Sequence, residues 1–273
     1  MAHDPRYAEL SDRALVDVSG PDWRGFLQGL LTQDVESLAD GEIRFAALLT
    51  PQGRLLFDLF VIGVGEACRL DCAADRRDGL IQRLSLYRLR AKVEITPYDL
   101  PILALWNVDA APAGWIRDPR LATLGYRGYG AQTPAARPAS YEAHRLGLGI
   151  PGPADWGEDA TYPIEANFDL LNGIDFKKGC FVGQETTSRM KRRGNIKTRM
   201  APIAFDGPAI ATGAELLAGS LRAGVVESGA DGLAMASLRL DRANGPDRVL
   251  PDGRPWRPLW PEWMNAAVGV EEP

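Results

Sequence analysis

Hydrophobic and polar positions alternate in short bursts through the first hundred residues. "ALVDVSG" (14–20) has the two-residue period of a strand and ends in a turn. In "SGPDWRGFLQGLL" (19–31), Trp23, Phe26, Leu27, Leu30 and Leu31 fall at i, i+3, i+4, i+7 and i+8. That is one apolar stripe of a helix, with Ser19 as cap and Pro21 in the first turn. "IRFAALLT" (43–50) and "RLLFDLFVIG" (54–63) flank the turn signal "TPQG", and "GEACRLDCA" (65–73) adds a further hairpin strand. "DRRDGLIQRLSLYRL" (75–89) predicts a helix with Asp75 near its cap, and "AKVEITPYDL" (91–100) returns as a strand.

Residues 101–140 continue as strands and loops, and "TPAARPAS" (133–140) reads as a surface connection or subdomain boundary. "YEAHRLGLGIP" (141–151) is a short helix stopped by Gly and Pro, and residues 151–163 read as an irregular loop. "GQETTSRMKRRG" (183–194) is a helix with a glycine stop. Beyond it, "ATGAELLAGSLRAGVVESGADGLAMASLRLDRA" (211–243) breaks into short apolar runs spaced by Gly and Asp, the pattern of a small antiparallel barrel or sandwich. The tail "GRPWRPLWPEWM" (253–264) is expected to plug an interdomain groove with its three Trp rings, an exposed patch being the alternative. Hairpins mixed with helices, without a regular parallel βαβ series, give the α+β class. No GxGxxG opens a helix after a strand and no P-loop is present, which argues against the common nucleotide-dependent enzymes.

Composition narrows the function. A chain of 273 residues suggests about two domains. With 45% hydrophobic and 25% charged residues it can bury a core. The net charge of -5 argues against a protein whose main partner is bulk nucleic acid, so no DNA partner is expected and any basic site is local. No apolar run approaches the ~20 residues of a membrane span. The start "MAHDPRYAELSDR" lacks the pattern of a leader. These features, with few cysteines, predict no membrane partner and a cytoplasmic location. Cys68, Cys72, Cys180, His3 and His144 are too few for a closed Cys/His zinc site, and four cysteines for a cluster are lacking. No resident metal is expected. Cys68 and Cys72 alternate in a strand, point the same way and read as small core residues.

"KKGCFVGQE" (177–185) carries the chemistry. Cys180 is a working thiol, a metal ligand or apolar filler. It lies just before a helix, where unpaired N–H groups favour negative charge, and Lys177 and Lys178 add positive potential. Gly179 and Gly183 allow close approach of a ligand. Gln184 and Glu185 suit the amide-like edge of a heterocycle. His144 is the one candidate partner for a Cys-His nucleophile, so a peptidase reading is weak. The run "RMKRRGNIKTR" (189–199) carries Arg189, Lys191, Arg192, Arg193, Lys197 and Arg199. It reads as a solvated helix face or as a landing site for a polyanion, either a poly-carboxylate tail or RNA.

"KGCFVGQE" resembles the K-G-C-[FY]-x-G-Q-E signature of the folate-binding YgfZ proteins, relatives of the aminomethyltransferase T-protein of glycine cleavage. "FLQGLLTQDV" (26–35), "LLTPQGRLLFDLFV" (48–61), "PIEANFDLLNGIDFKKGCFVGQE" (163–185) and "AGVVESGADGLAMASLRL" (223–240) match in the family's order over nearly the whole chain. The form "PIEANFDLLNGI" is similar to the branch that includes the mitochondrial iron–sulfur assembly factor. The resemblance implies two α+β subdomains around a central opening that holds tetrahydrofolate, plus a C-terminal antiparallel β-barrel. Their expected bounds are 1–50 with 140–197, then 51–139, then 198–273.

The resemblance also implies support of iron–sulfur cluster assembly or repair in client enzymes such as radical tRNA-modifying and dehydratase proteins. Folate and iron–sulfur client or carrier proteins are the implied partners. Lys178 and Cys180 carry over as the chemical pair, Cys180 as a redox thiol or transient cluster ligand. The expected folate contacts are Asp58, Glu165, Asn167, Lys178, Gln184, Glu185, Arg189 and Arg193. The carboxylate of Glu165 suits the pterin N–H groups, and the basic run suits the glutamate tail. One departure stands out: the paired acids of the transferases are reduced to Asp58, with Phe57 in the first position. The alternative is a folate-dependent aminomethyl or one-carbon transferase using Asp58. An RNA-contacting module on the basic helix is a third reading and is not favoured.

Overall fold

The computed structural model describes residues 4–110 and 112–268. His3, counted above among the scarce metal ligands, lies outside them, as does the end of the expected last domain. In chain order the elements are β1 (Arg6–Glu9), β2 (Arg13–Ser19), α1 (Trp23–Gln28), β3 (Ile43–Leu49), β4 (Leu55–Val64), β5 (Ala67–Ala73), α2 (Arg77–Arg88) and β6 (Glu94–Tyr98). Then come β7 (Ile102–Trp106), β8 (Trp115–Arg117), β9 (Tyr126–Tyr129), β10 (Arg137–Pro138), α3 (Tyr141–Gly147), α4 (Pro153–Trp156) and α5 (Gln184–Arg193). The chain closes with β11 (Thr198–Phe205), β12 (Glu215–Ala218), β13 (Leu221–Ala230), β14 (Leu233–Arg239), β15 (Arg248–Val249), β16 (Trp256–Pro258) and α6 (Asn265–Val268). The α+β class holds.

Two compact units divide the chain. The first holds residues up to Tyr141 with Leu171–Gln184, and the second holds Glu142–Leu170 with residues from Glu185 onward. Residues 51–139 therefore fall inside the first unit.

The first unit contains two sheets. One runs β3-β4-β5-β2-β6 and is antiparallel throughout. Its strand β4 is buried from Leu55 to Gly63, as its unbroken apolar run requires. Helices α1 and α2 cover one face through Trp23, Leu27, Leu80 and Leu84, packed on Leu59, Val61 and Leu70. The second sheet runs β10-β1-β7-β9-β8, with β1 and β10 parallel and the rest antiparallel.

A buried ion network joins the two sheets. Arg13 donates to Asp71 and to Asp58, each at 2.7 Å, and Arg127 donates to Asp71 at 2.7 Å. Tyr129 donates to the same Asp71 oxygen at 2.9 Å. The guanidinium of Arg127 lies 3.9 Å from the centroid of Phe60. Burial works to raise the Asp71 carboxyl, and Arg13 and Arg127 overcome it and hold it below the usual range. Desolvating such ions costs several kcal/mol each, which full pairing offsets.

In the second unit six strands run β15-β12-β13-β14-β11-β16, all antiparallel, and a bridge between Val249 and Pro255 nearly closes the sheet into a barrel. The barrel expected from the Gly- and Asp-spaced runs is present. Ile203, Leu216, Val226, Leu238 and Trp256 fill it. The three tail tryptophans pack on this core rather than on a groove: Trp256, Trp260 and Trp263 donate to Leu217 O, Asn244 and Leu148 O.

Several local expectations shift. Ser19 ends β2, and Asp22 occupies the N-cap of α1 without capping it; its carboxylate accepts the Lys92 N–H at 2.7 Å. The helix stops at Gln28, and Leu31 bridges to Leu48 as extended chain. Asp75 lies in a 3-10 turn ahead of α2. Residues 151–163 include the short helix α4, because Asp155 ties the segment down: it accepts from Gly152 N, Arg145 and Ser228 of β13. Among the described residues no helix is long and apolar enough to cross a membrane.

Candidate functional site

The segment Leu171–Gln184 is pinned to the first unit residue by residue. The buried hydroxyl of Thr32 donates to Gly173 O at 2.6 Å and accepts the Ala47 N–H at 2.7 Å. Asp175 N donates to Thr32 O at 3.0 Å, and the Gln33 side chain donates to Asn172 O at 2.8 Å. Lys178 makes three such bonds. Its Nζ donates to the carbonyls of Gln28, Leu31 and Gln33 at 2.8, 2.6 and 2.8 Å. These are the carbonyls that α1 leaves unsatisfied at its end and in the turn behind it. An ammonium has three N–H donors, and all three have an acceptor. Burial pushes its pKa down to about 8, against the pull of Asp34, Asp175 and Glu36, so the charged form prevails at neutral pH.

Gly183 fixes the other end. Its φ is +81°, and a Cβ there would meet Thr50 O at 2.7 Å and Gly53 Cα at 2.9 Å. Only glycine allows that approach. The second glycine of "KGCFVGQE" thus packs on the turn of "TPQG", whose own glycine, Gly53, is called for by its φ of +86°.

Between these anchors the chain emerges. Gly179 and Cys180 are exposed, and Phe181 turns back inside. Cys68 and Cys72 are buried in β5 as expected, and burial pushes the Cys72 thiol up to about 12 and that of Cys68 higher still. Cys180 is therefore a solvent-facing sulfur, not filler.

The other expected site residues divide by role. Lys178 is corrected from a cation facing thiol and folate to a brace, because its protons are committed to three carbonyls inside the unit. Asp58 is corrected too: it is buried, and its carboxylate pairs with Arg13 at 2.7 Å. That pair holds its carboxylate inside the unit. Asn167 is fully buried at φ +63°, donates to Met200 O at 2.7 Å and accepts from Arg199 at 3.1 Å. Its amide joins its loop to β11, and full burial keeps it away from any solvent-borne ligand.

Glu165 is half-buried, with one oxygen accepting the Tyr162 N–H at 3.1 Å. Gln184 opens α5, and Glu185 is exposed 3.9 Å from Arg189. Arg189, Arg192 and Arg193 are exposed and, at i, i+3 and i+4, share one side of α5. Arg199 leaves the basic run: it is buried on Asp169, Asn167 and Ile164 O. Asp58, Lys178, Cys180 and Gln184 belong to the first unit, and Glu165, Asn167, Glu185, Arg189, Arg193 and His144 to the second.

Thr32 and Gln33 hold the loop through their side chains, and Gln28 through its carbonyl. Thr32 and Gln33 are both polar residues next to the apolar stripe of "FLQGLLTQDV", which is the mark they leave in the sequence. Among the described residues no three His, Cys, Asp or Glu side chains are placed to hold a metal.

Comparison with known proteins bears on the family and the fold. The model of the CAF17 C-terminal beta-barrel domain matches residues 197–266, the barrel itself. The human mitochondrial iron–sulfur cluster assembly factor IBA57 is 32% identical, over 87% of this chain and 78% of the human protein. The mouse protein of the same name is 31% identical over the same shares. Glycine cleavage system aminomethyltransferase T from Bartonella henselae has a TM-score of 0.69 at 18% identity, covering 88% of this chain and 79% of its own, which shows the fold. The curated relatives are mitochondrial by name, and this overturns the cytoplasmic location expected from the sequence.

Proposed function

This chain belongs to the IBA57 family of iron–sulfur cluster assembly factors, and we propose that it supports assembly or repair of iron–sulfur clusters in client enzymes, with Cys180 as its working sulfur. One observation carries the reading: of three cysteines, Cys180 alone is exposed, on a loop braced at both ends. The cluster is cargo. This chain offers it one sulfur, and the remaining ligands come from a carrier or client protein.

Tetrahydrofolate is the proposed bound ligand. The residues fit it in part. Within the second unit, Glu165 suits the pterin N–H groups, Glu185 its polar edge, and Arg189 and Arg193 a glutamate tail. Asp58, Asn167 and Lys178 are committed to protein partners and are left out of the binding set. Bound folate supplies a one-carbon acceptor; the chain's own part is to hold it. The burial of Asp58 in its pair with Arg13 does not favour the aminomethyl-transfer reading.

Cells depleted of the chain should lose the activity of enzymes with four-iron clusters and regain it with the wild-type chain. Unchanged client activity after depletion would remove the proposal. Titration of the purified chain with tetrahydrofolate should show saturable binding, weakened about tenfold in Glu165→Gln by loss of a charge-assisted pair. Absence of binding would remove the folate and leave the cluster role.

A further inference from the structure

Helix α2 buries Leu80 and Leu84, with Ile81 and Tyr87 packed beside them. Leu86 and Leu89 lie off that stripe and stand 66% and 89% exposed. Among the described residues only Leu221 shares this condition of a large, strongly exposed hydrophobic. Leu89 is unusual in a second way. It ends the helix at φ +42°, ψ −102°. A Cβ costs about 1 kcal/mol or more at such a φ, and glycine is the ordinary residue for it. The side chain recovers none of that cost by burial, so the fold itself gives no reason for leucine here. Strain and exposed apolar surface at one residue point to something that covers it.

The neighbours say what kind of surface covers it. Arg83, Arg88, Arg90 and Lys92 flank the two leucines, and none is ion-paired to an acid among the described residues. Arg88 bonds only to the Val93 carbonyl, at 3.4 Å. Four cations outside any ion pair, against one carboxylate, Asp22, bonded to the Lys92 N–H, leave an excess of positive charge around two apolar side chains. That excess matches an acidic rim around an apolar centre, the usual anatomy of a protein interface. Two side chains are too little apolar area for stable anchoring to a bilayer.

Resting on the cluster-assembly reading above, we propose that the end of α2, with Leu86 and Leu89 between Arg83, Arg88, Arg90 and Lys92, is the docking surface for an acidic iron–sulfur client or carrier protein. A photo-crosslinking residue at position 86 of the full chain, in cells, should capture an iron–sulfur protein, and the same residue at position 221 should not. Leu86→Ser/Leu89→Gly should melt no lower than wild type, because glycine relieves the strained φ. It should still lower client activity by about tenfold in a depleted strain, the effect of removing an interface anchor. Arg83→Glu/Arg90→Glu should do the same without touching the leucines.

Full rescue by both variants, in a strain whose clients depend on the chain, would overturn the docking surface and leave the cluster role standing. Clients that do not depend on the chain would strike the cluster role instead; capture at position 86 then still decides the surface. Capture of no iron–sulfur protein, or leucine-dependent binding to anionic vesicles in place of it, would also overturn the proposal.

Discussion

Strand β5 and the loop ahead of α5 both carry cysteine, and they place the sulfur in opposite settings. In β5 the two-residue period puts Cys68 and Cys72 on one face, under α1 and α2, and burial raises both thiols far from reactivity. In the loop, Lys178 and Gly183 hold the chain down on either side of Cys180 and leave that sulfur in water. The difference does not come from cysteine. It comes from which neighbours are committed to the interior. A buried lysine and a glycine that leaves room for a backbone oxygen create an exposed turn anchored on both sides, whereas alternation in a covered sheet creates a core.

The widest gap should appear in native labelling. A maleimide should modify Cys180 at once, and Cys68 and Cys72 only through opening of the first unit, slower by about a thousandfold or more. Two sulfurs reacting at one fast rate would break the contrast. Next in size is the brace. Lys178→Met leaves three carbonyls without their donor and should cost about 3 kcal/mol in denaturant unfolding, by the usual penalty for orphaned buried groups. A loss within about 0.5 kcal/mol, the range of ordinary surface changes, would show that the loop does not need its ammonium.

The two regions should also differ by direct substitution. Cys72→Ser buries a hydroxyl in β5 and should cost about 2 kcal/mol, while Cys180→Ser should stay within about 0.5 kcal/mol. Equal losses would contradict the assignment of one sulfur to the core and one to solvent. The smallest effect sharpens the same burial logic on a carboxyl. Glu227 on β13 is half-buried; burial and then Asp155 push its pKa up from 4.5 to about 7, with Arg222 opposing. The folded chain keeps a proton there that the unfolded chain releases. The associated stability is full below pH 4.5 and declines as pH rises toward 7. Glu227→Gln should flatten that slope and gain about 1 kcal/mol at pH 8 relative to wild type, discounted for partial exposure. An unchanged slope would place the titration elsewhere.

Much of the fold was legible because it rests on period and punctuation. The strands of the first hundred residues, the glycine-stopped helix α5 and the barrel all follow from apolar runs bounded by Gly, Asp and Pro. The sheet of β1, β7, β8, β9 and β10 was less so, since its short strands carry no long alternation. The exposure of Cys180 was legible, since the string sets it after Gly179 in a polar, basic stretch. The positions of Lys178, Asp58 and Asn167 were not. Each is a polar residue whose role depends on partners far along the chain, Leu31, Arg13 and Met200 among them. Local sequence shows the charge of such a group and not which carbonyl or ion it will meet. The location followed the same limit: composition fitted the cytoplasm, and the named relatives are mitochondrial.

Rescue of a depleted strain by single-cysteine variants puts the functional meaning of this contrast to the test. Client four-iron enzymes should recover with a chain carrying Cys72→Ala and should stay at the depleted level with one carrying Cys180→Ala, although the second protein folds normally. Equal recovery by both would mean that the exposed sulfur does no chemistry.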